Sequence, residues 1–166
     1  QTLSFNSSFN PIIDFKTIQT LNKMGLFIDN NKYQDAINLK DNFISENSNV
    51  FSNDKLLKEK TIGSLSTATL QALYALNRYE EYEKLAREIK SFGMLQFKIE
   101  GSYFLNEILL LKGEFKEGLE NSKYAYELQK NSIDIKRSVL NRFYFNSIND
   151  LLHFTLLVYE NDVKAL

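Results

Sequence analysis

The chain has 166 residues, 43% of them apolar and 25% charged, a balance that suits one globular domain with a buried core. Twenty basic and twenty-one acidic side chains give a net charge of −1, which supplies no electrostatic drive toward nucleic acid or anionic lipid. The absence of cysteine excludes a disulfide framework, a thiolate metal shell and a cysteine nucleophile, and the longest strongly apolar run, Ile108 to Leu111, is far too short to cross a bilayer.

In chain order, the residues read as helices. Pro11 after Asn10 suits the first turn of a helix, where a missing N–H goes unnoticed. From there Ile13, Ile18, Leu21, Met24 and Ile28 recur at helical spacing on one face, until Asn30 and Asn31 break the pattern. A second helix is predicted from about Tyr33 to Glu46 with Ala36, Ile37, Phe43 and Ile44 inward. The stretch NSNVFSND, from Asn47 to Asp54, reads as a loop, with Asn53 or Asp54 able to cap the next helix. A third helix, roughly Asp54 to Asn77, carries Ala68, Ala72 and Ala75 on one side and Leu70, Leu73 and Leu76 beside it, so it should have two neighbours.

A fourth helix runs to about Ser91, with Glu80 before Lys84 and Glu83 before Arg87 in the favourable order for surface pairs. Gly93 suits the left-handed stop after it. The fifth, from Leu95 to Lys112, is apolar nearly all round between Tyr103 and Leu111 and should be central; the sixth spans Phe115 to Lys130. From Ile133 to Tyr159 the pattern allows one long helix or two short ones broken at NSIND. No segment alternates with period two between hairpin turns, so the fold class is all-α, with about seven helices.

Three stretches repeat one another: NKYQDA from Asn31, NRYEEY from Asn77 and GEFKEG from Gly113. Aligned on Tyr33, Tyr79 and Phe115, they place an aromatic at the entry of the second helix of a pair, where it can wedge between two helices. Three residues on, Ala36 and Gly118 are small enough for close approach, while Tyr82 takes that position in the middle unit; Ala125 repeats the small position on the last. Through these motifs the chain resembles the tetratricopeptide-repeat superfamily over about residues 12 to 130. Where typical units carry a small residue in the first helix, this sequence offers Met24, Leu70 and Asn106.

The resemblance implies a right-handed α-solenoid of antiparallel helix pairs. Its units would fall at about 12–46, 54–91 and 94–130, with a partial unit at 133–166. First helices would line a concave groove that binds a protein or peptide. On this reading Gln71, Tyr74, Tyr103 and Glu107 are the candidate partner-binding residues, with Ser64, Thr67 and Glu100 beside them and EEYEK on the outer side. The carboxylate-gripping set of Lys, Asn and Arg used by some members is not found. YENDVKAL at the end again starts with Tyr and acids, as though opening another second helix, so the chain is expected to be a piece of a longer protein. Gln1 in place of Met fits a processed chain or an excised domain, which leaves exported and cytoplasmic settings open.

No chemistry is written into the sequence. His153, the lone histidine, lies in LLHFTLL and reads as a core or rim residue with no metal partner; paired acids sit among lysines as solvated faces do; glycines are scattered without a phosphate cradle. The expectation is a non-catalytic scaffold without cofactor or metal, suited to be the sensory or regulatory part of a larger protein. The alternative is a structural bundle without a groove whose partner is a second copy, a homo-oligomer.

Overall fold

A computed structural model describes residues 9–130 and 141–164, and among them there are eight helices and no strand. They are α1 (Pro11–Asp29), α2 (Tyr33–Glu46), α3 (Ser48–Asn53), α4 (Lys55–Ala75), α5 (Tyr79–Ser91), α6 (Leu95–Lys112), α7 (Phe115–Lys130) and α8 (Asn141–Lys164). The protein is all-α. Two helix starts are set by side-chain caps: Asn10 accepts the Ile13 N–H at 3.1 Å and Asp54 accepts the Leu57 N–H at 2.9 Å, each satisfying a donor that the first turn leaves open.

The chain divides into two compact units, Gln1–Tyr82 and Glu83–Leu166, the boundary falling inside α5. In the first unit α1 packs on α2 and α4, α2 on α4, and α3 against both α2 and α4. Met24, Ala36, Leu65 and Ala72 have no exposed surface there. Lys60 on α4 donates to Asp14 on α1 at 2.9 Å, tying the rim of that packing. In the second unit α7 packs between α6 and α8, and α6 also touches α8. Leu105, Ile108 and Leu109 of α6 and Phe154 of α8 supply its core. Gly118 is the reason α8 can seat: a Cβ there would lie 2.2 Å from the Phe154 ring. A Cβ on Gly101 would meet the backbone N of Lys90 at 2.2 Å, so α6 and the end of α5 touch main chain to main chain.

Several expectations are corrected by the packing. The Asn- and Ser-rich stretch expected as a loop forms α3, because Phe51 is buried edge-on against Phe43, ring centroids 6.5 Å apart. Ile18 and Ala75, placed inward by periodicity, are exposed, and Leu110 and Leu111 leave α6 open on one side. Positive φ is found at Asn31, Asn77 and Gly113, and Gly93 is not among these positions. Of the two readings left open for the last stretch, α8 runs through NSIND without a break; Tyr159 lies in the interior of that helix and does not open a new one. Residues 131–140, where the last predicted helix was to begin, lie outside the described residues.

Candidate functional site

The repeated motif is a corner. Tyr33, Tyr79 and Phe115 are each the first residue of a helix, and two residues before each stands a left-handed residue: Asn31 (φ 59), Asn77 (φ 57) and Gly113 (φ 73). The same hydrogen bonds close all three. Lys32 N–H donates to Phe27 O at 2.7 Å, Arg78 to Leu73 and Glu114 to Leu109 at 2.9 Å each; the left-handed residues donate to Ile28, Tyr74 and Leu110. This is the stop that satisfies a helix's orphan carbonyls when one residue turns left-handed, and Asn and Gly tolerate that turn best. The tyrosine hydroxyls then donate to the Asn31 and Asn77 side chains, both at 2.8 Å. Arg78 reaches Gln34 of α2 at 2.9 Å, linking the second corner to the first helix pair.

Nine residues before each aromatic stand Met24, Leu70 and Asn106, all buried, so the equivalence extends back through the first helix of each pair. It also fixes which positions stay open. On α4, buried on most sides, Ser64, Thr67, Gln71 and Tyr74 form one exposed stripe at three- and four-residue steps. Three of them, Ser64, Thr67 and Gln71, line a cleft of about 650 Å³ shared with Leu21, Asn22, Gly25, Leu26, Ile28 and Asp29 of α1 and its end. Leu21, Gly25 and Ile28 occupy in α1 the register that Thr67, Gln71 and Tyr74 occupy in α4. Gly25 keeps the cleft floor open, as a Cβ there meets nothing within 4 Å. The α4 wall offers hydroxyl and amide groups, the α1 wall aliphatic carbon together with the Asn22 amide, and Asp29 is the only charge among the lining residues.

Tyr74 does not enter the cleft. Its ring, 47% exposed, packs edge-on against Tyr79 at 5.7 Å and Tyr82 at 6.3 Å, making it part of the α4–α5 corner. Tyr103 and Glu107 lie on α6 in the second unit, Tyr103 half-buried with its ring 5.6 Å from Phe104 and Glu107 exposed. Thus Gln71 and Tyr74 belong to one unit and Tyr103 and Glu107 to the other. Glu100, in the same register as Ser64, is half-buried, and that burial pushes its carboxyl above the usual range while the Gln96 amide at 2.9 Å opposes the shift. Sequence reasoning missed Gly25 and Leu26, whose only signal was a glycine inside a helical pattern.

Beneath α6 the second unit buries a polar cluster. Asn106 Nδ2 donates to Ser122 Oγ at 3.0 Å and to Asp150 Oδ2 at 2.9 Å. Asn121 Nδ2 donates to Asn106 Oδ1 and to the Ser102 carbonyl, both at 2.7 Å. Burial raises the Asp150 carboxyl, Asn106 and His153 oppose the shift, and Glu107 adds to it. Elsewhere in the unit Glu83 is held below the usual carboxylate range, first by its bond from Lys112 and then by Arg87, which also binds Glu117 at 2.7 Å. His153 is exposed, tilted against Phe154. Among the described residues no cluster of His, Asp and Glu is set to hold a metal ion, and no helix is long and apolar enough to cross a membrane. Comparison of the chain with protein-family models, curated proteins and solved structures gives no match in any of the three.

Proposed function

We propose that this chain is a non-catalytic, tetratricopeptide-like scaffold that binds an extended protein or peptide segment in the cleft between α1 and α4. The reading is carried by the three identical corners, which make the helix pairs equivalent and so assign α1 and α4 the same role. In a right-handed stack of such pairs the first helices face the groove, and the cleft lies between two first helices. Its hydroxyl and amide wall would hold a peptide backbone, and Leu21 and Leu26 would meet an apolar side chain. A sensory or regulatory place within a larger protein would suit such a scaffold.

The test is selection of a random displayed peptide library on the immobilised 166-residue chain, followed by measurement of the selected peptides on variants. Gly25→Trp fills the cleft from a position with open space around it, so it should weaken binding at least ten-fold while circular dichroism stays unchanged. Glu80→Lys should leave binding as it was. Peptides that bind Gly25→Trp as well as the parent would remove the cleft from the proposal, and a library that yields no binder would remove the scaffold.

A further inference from the structure

We infer that the α1–α4 cleft takes a segment carrying a basic side chain, Lys or Arg, whose charge pairs with Asp29; this rests on the peptide-binding reading above and names what that site selects. Asp29 is the last residue of α1, is exposed, and is the only charged residue lining the cleft. It follows Asn22 and Leu26 at steps of four and three residues, so the three form one exposed row along the lip, with the carboxylate at its end. From Leu21 to Asp29 the helix rises about 12 Å, room for about four residues of an extended chain, so one such segment can reach Leu26 and Asp29 together.

The fold itself makes no use of Asp29. An acid in the last turn of a helix stands at the negative end of the helix dipole, and α1 carries no base there to offset it. The other acid of α1, Asp14, is paired with Lys60 of α4 at 2.9 Å, whereas the Asp29 side chain makes no ion pair or hydrogen bond among the described residues. Both lysines of α1, Lys16 and Lys23, line a separate groove on the α2 side with Leu39 and Phe43. The end of α1 thus adds to the carboxylate, and no positive group lining the cleft neutralises either. A cation is what such an end favours, and an acidic segment is disfavoured by the same field. Lys and Arg carry their charge on a long flexible stem. The backbone of the segment can therefore lie along Ser64, Thr67 and Gln71 while the charge reaches the end of the lip.

The test is parallel selection from one displayed peptide library on the parent chain and on Asp29→Asn, followed by affinity measurement with the parent-selected peptides remade with acetylated and amidated ends. Peptides selected on the parent should be enriched in Lys or Arg at one position, and those selected on Asp29→Asn should not. Replacing that basic residue by Gln in the peptide, or Asp29 by Asn in the protein, should each weaken binding about two- to five-fold at low salt, the range for an exposed ion pair, and both together no more than either alone. The difference should disappear near 1 M salt, where screening acts over about 3 Å. Asp29→Lys should instead prefer the peptide with Glu in place of its basic residue. Both variants should keep the parent's helical dichroism, because the position is exposed and a helix C-terminus accepts a neutral or basic residue. Peptides that Gly25→Trp excludes but that carry no basic residue, or that ignore both Asp29 variants, would overturn the pairing with Asp29 and leave the cleft standing. Binding lost on acetylation would overturn it too, assigning the charge to an amino terminus. Peptides indifferent to Gly25→Trp, or a library without a binder, would remove the cleft and the pairing with it.

Discussion

Two helical glycines, Gly118 and Gly25, should respond to the same substitution with opposite signs. Glycine inside a helix is worse than alanine by about 1 kcal/mol, so Gly→Ala stabilises wherever a methyl group has room. At Gly25 it has room: nothing lies within 4 Å of the added carbon. Gly25→Ala should therefore gain about 0.5–1 kcal/mol. At Gly118 the added carbon would sit 2.2 Å from Cε1 and 2.5 Å from Cδ1 and Cζ of Phe154. That ring is 2% exposed and cannot swing into solvent. Inserting a methyl group into such packing costs about 1–3 kcal/mol, which set against the propensity gain of about 1 kcal/mol leaves a net loss of up to about 2 kcal/mol. Urea unfolding followed by far-ultraviolet dichroism reads both. Phe154→Leu in the Gly118→Ala background should recover part of the loss, because the cost comes from that contact and not from the helix. If Gly118→Ala were stabilising like Gly25→Ala, or if Phe154→Leu added its full cost independently, the seating of α8 on α7 through this contact would be wrong.

Other perturbations obey the same logic. Gly101→Ala should cost more than Gly118→Ala, roughly 3 kcal/mol or more, since its added carbon meets the backbone of Lys90 and Ala86, which yields less than a ring. Asp150 has a raised folded pKa, so its contribution is present below the unfolded carboxylate pKa and is lost as pH rises through the folded one; stability should fall across that span, and Asp150→Asn should flatten the part of the fall due to Asp150, while Glu100, shifted the same way, keeps the rest. Glu83, shifted down, behaves oppositely: its contribution is present above the unfolded pKa and disappears on acidification, so Glu83→Gln should matter at neutral pH and not in acid, as pH-dependent unfolding would record. Asn31→Ala and Asn77→Ala should each cost about 1 kcal/mol or more from the left-handed backbone alone, with a further loss from the tyrosine bond, whereas Asn→Gly at either site should cost less.

Helix ends are easier to read in this sequence than helix neighbours, and the corners explain why. Asn31, Asn77 and Gly113 are residues that accept the left-handed turn, and the backbone hydrogen bonds that stop the helix depend on that turn alone, so α2, α5 and α7 begin where the motif places them. Ile18 keeps the helical period and is nonetheless exposed, because period gives only the relative angle of side chains; whether a given angle meets another helix depends on where that helix lies. The helix α3 is hidden for a related reason. Its composition is that of a loop, and one contact outside it, Phe51 on Phe43, decides the matter. At the candidate site Ser64, Thr67 and Gln71 are legible as a polar stripe on α4, while the cleft they line needs Gly25 and Leu26 from another helix.

Asn106 occupies the register held by Met24 and Leu70 in the other two pairs and yet is buried as they are. An apolar side chain there would be satisfied by any packing neighbour of the right volume. An amide is satisfied only if its oxygen finds the Asn121 Nδ2 and its nitrogen finds Ser122 and Asp150, from two different helices. Shifting α8 by one residue along α6 would move Asp150 by about 1.5 Å and rotate it by about 100°, leaving a buried donor without that acceptor. The apolar contact of Phe154 with Gly118 favours α8 lying on α7, and the polar cluster narrows the axial position at which it lies. The register of α8 thus depends on an Asn at a core position that is apolar in the other pairs, a difference that weakens the resemblance of this pair to its neighbours while making its packing more specific.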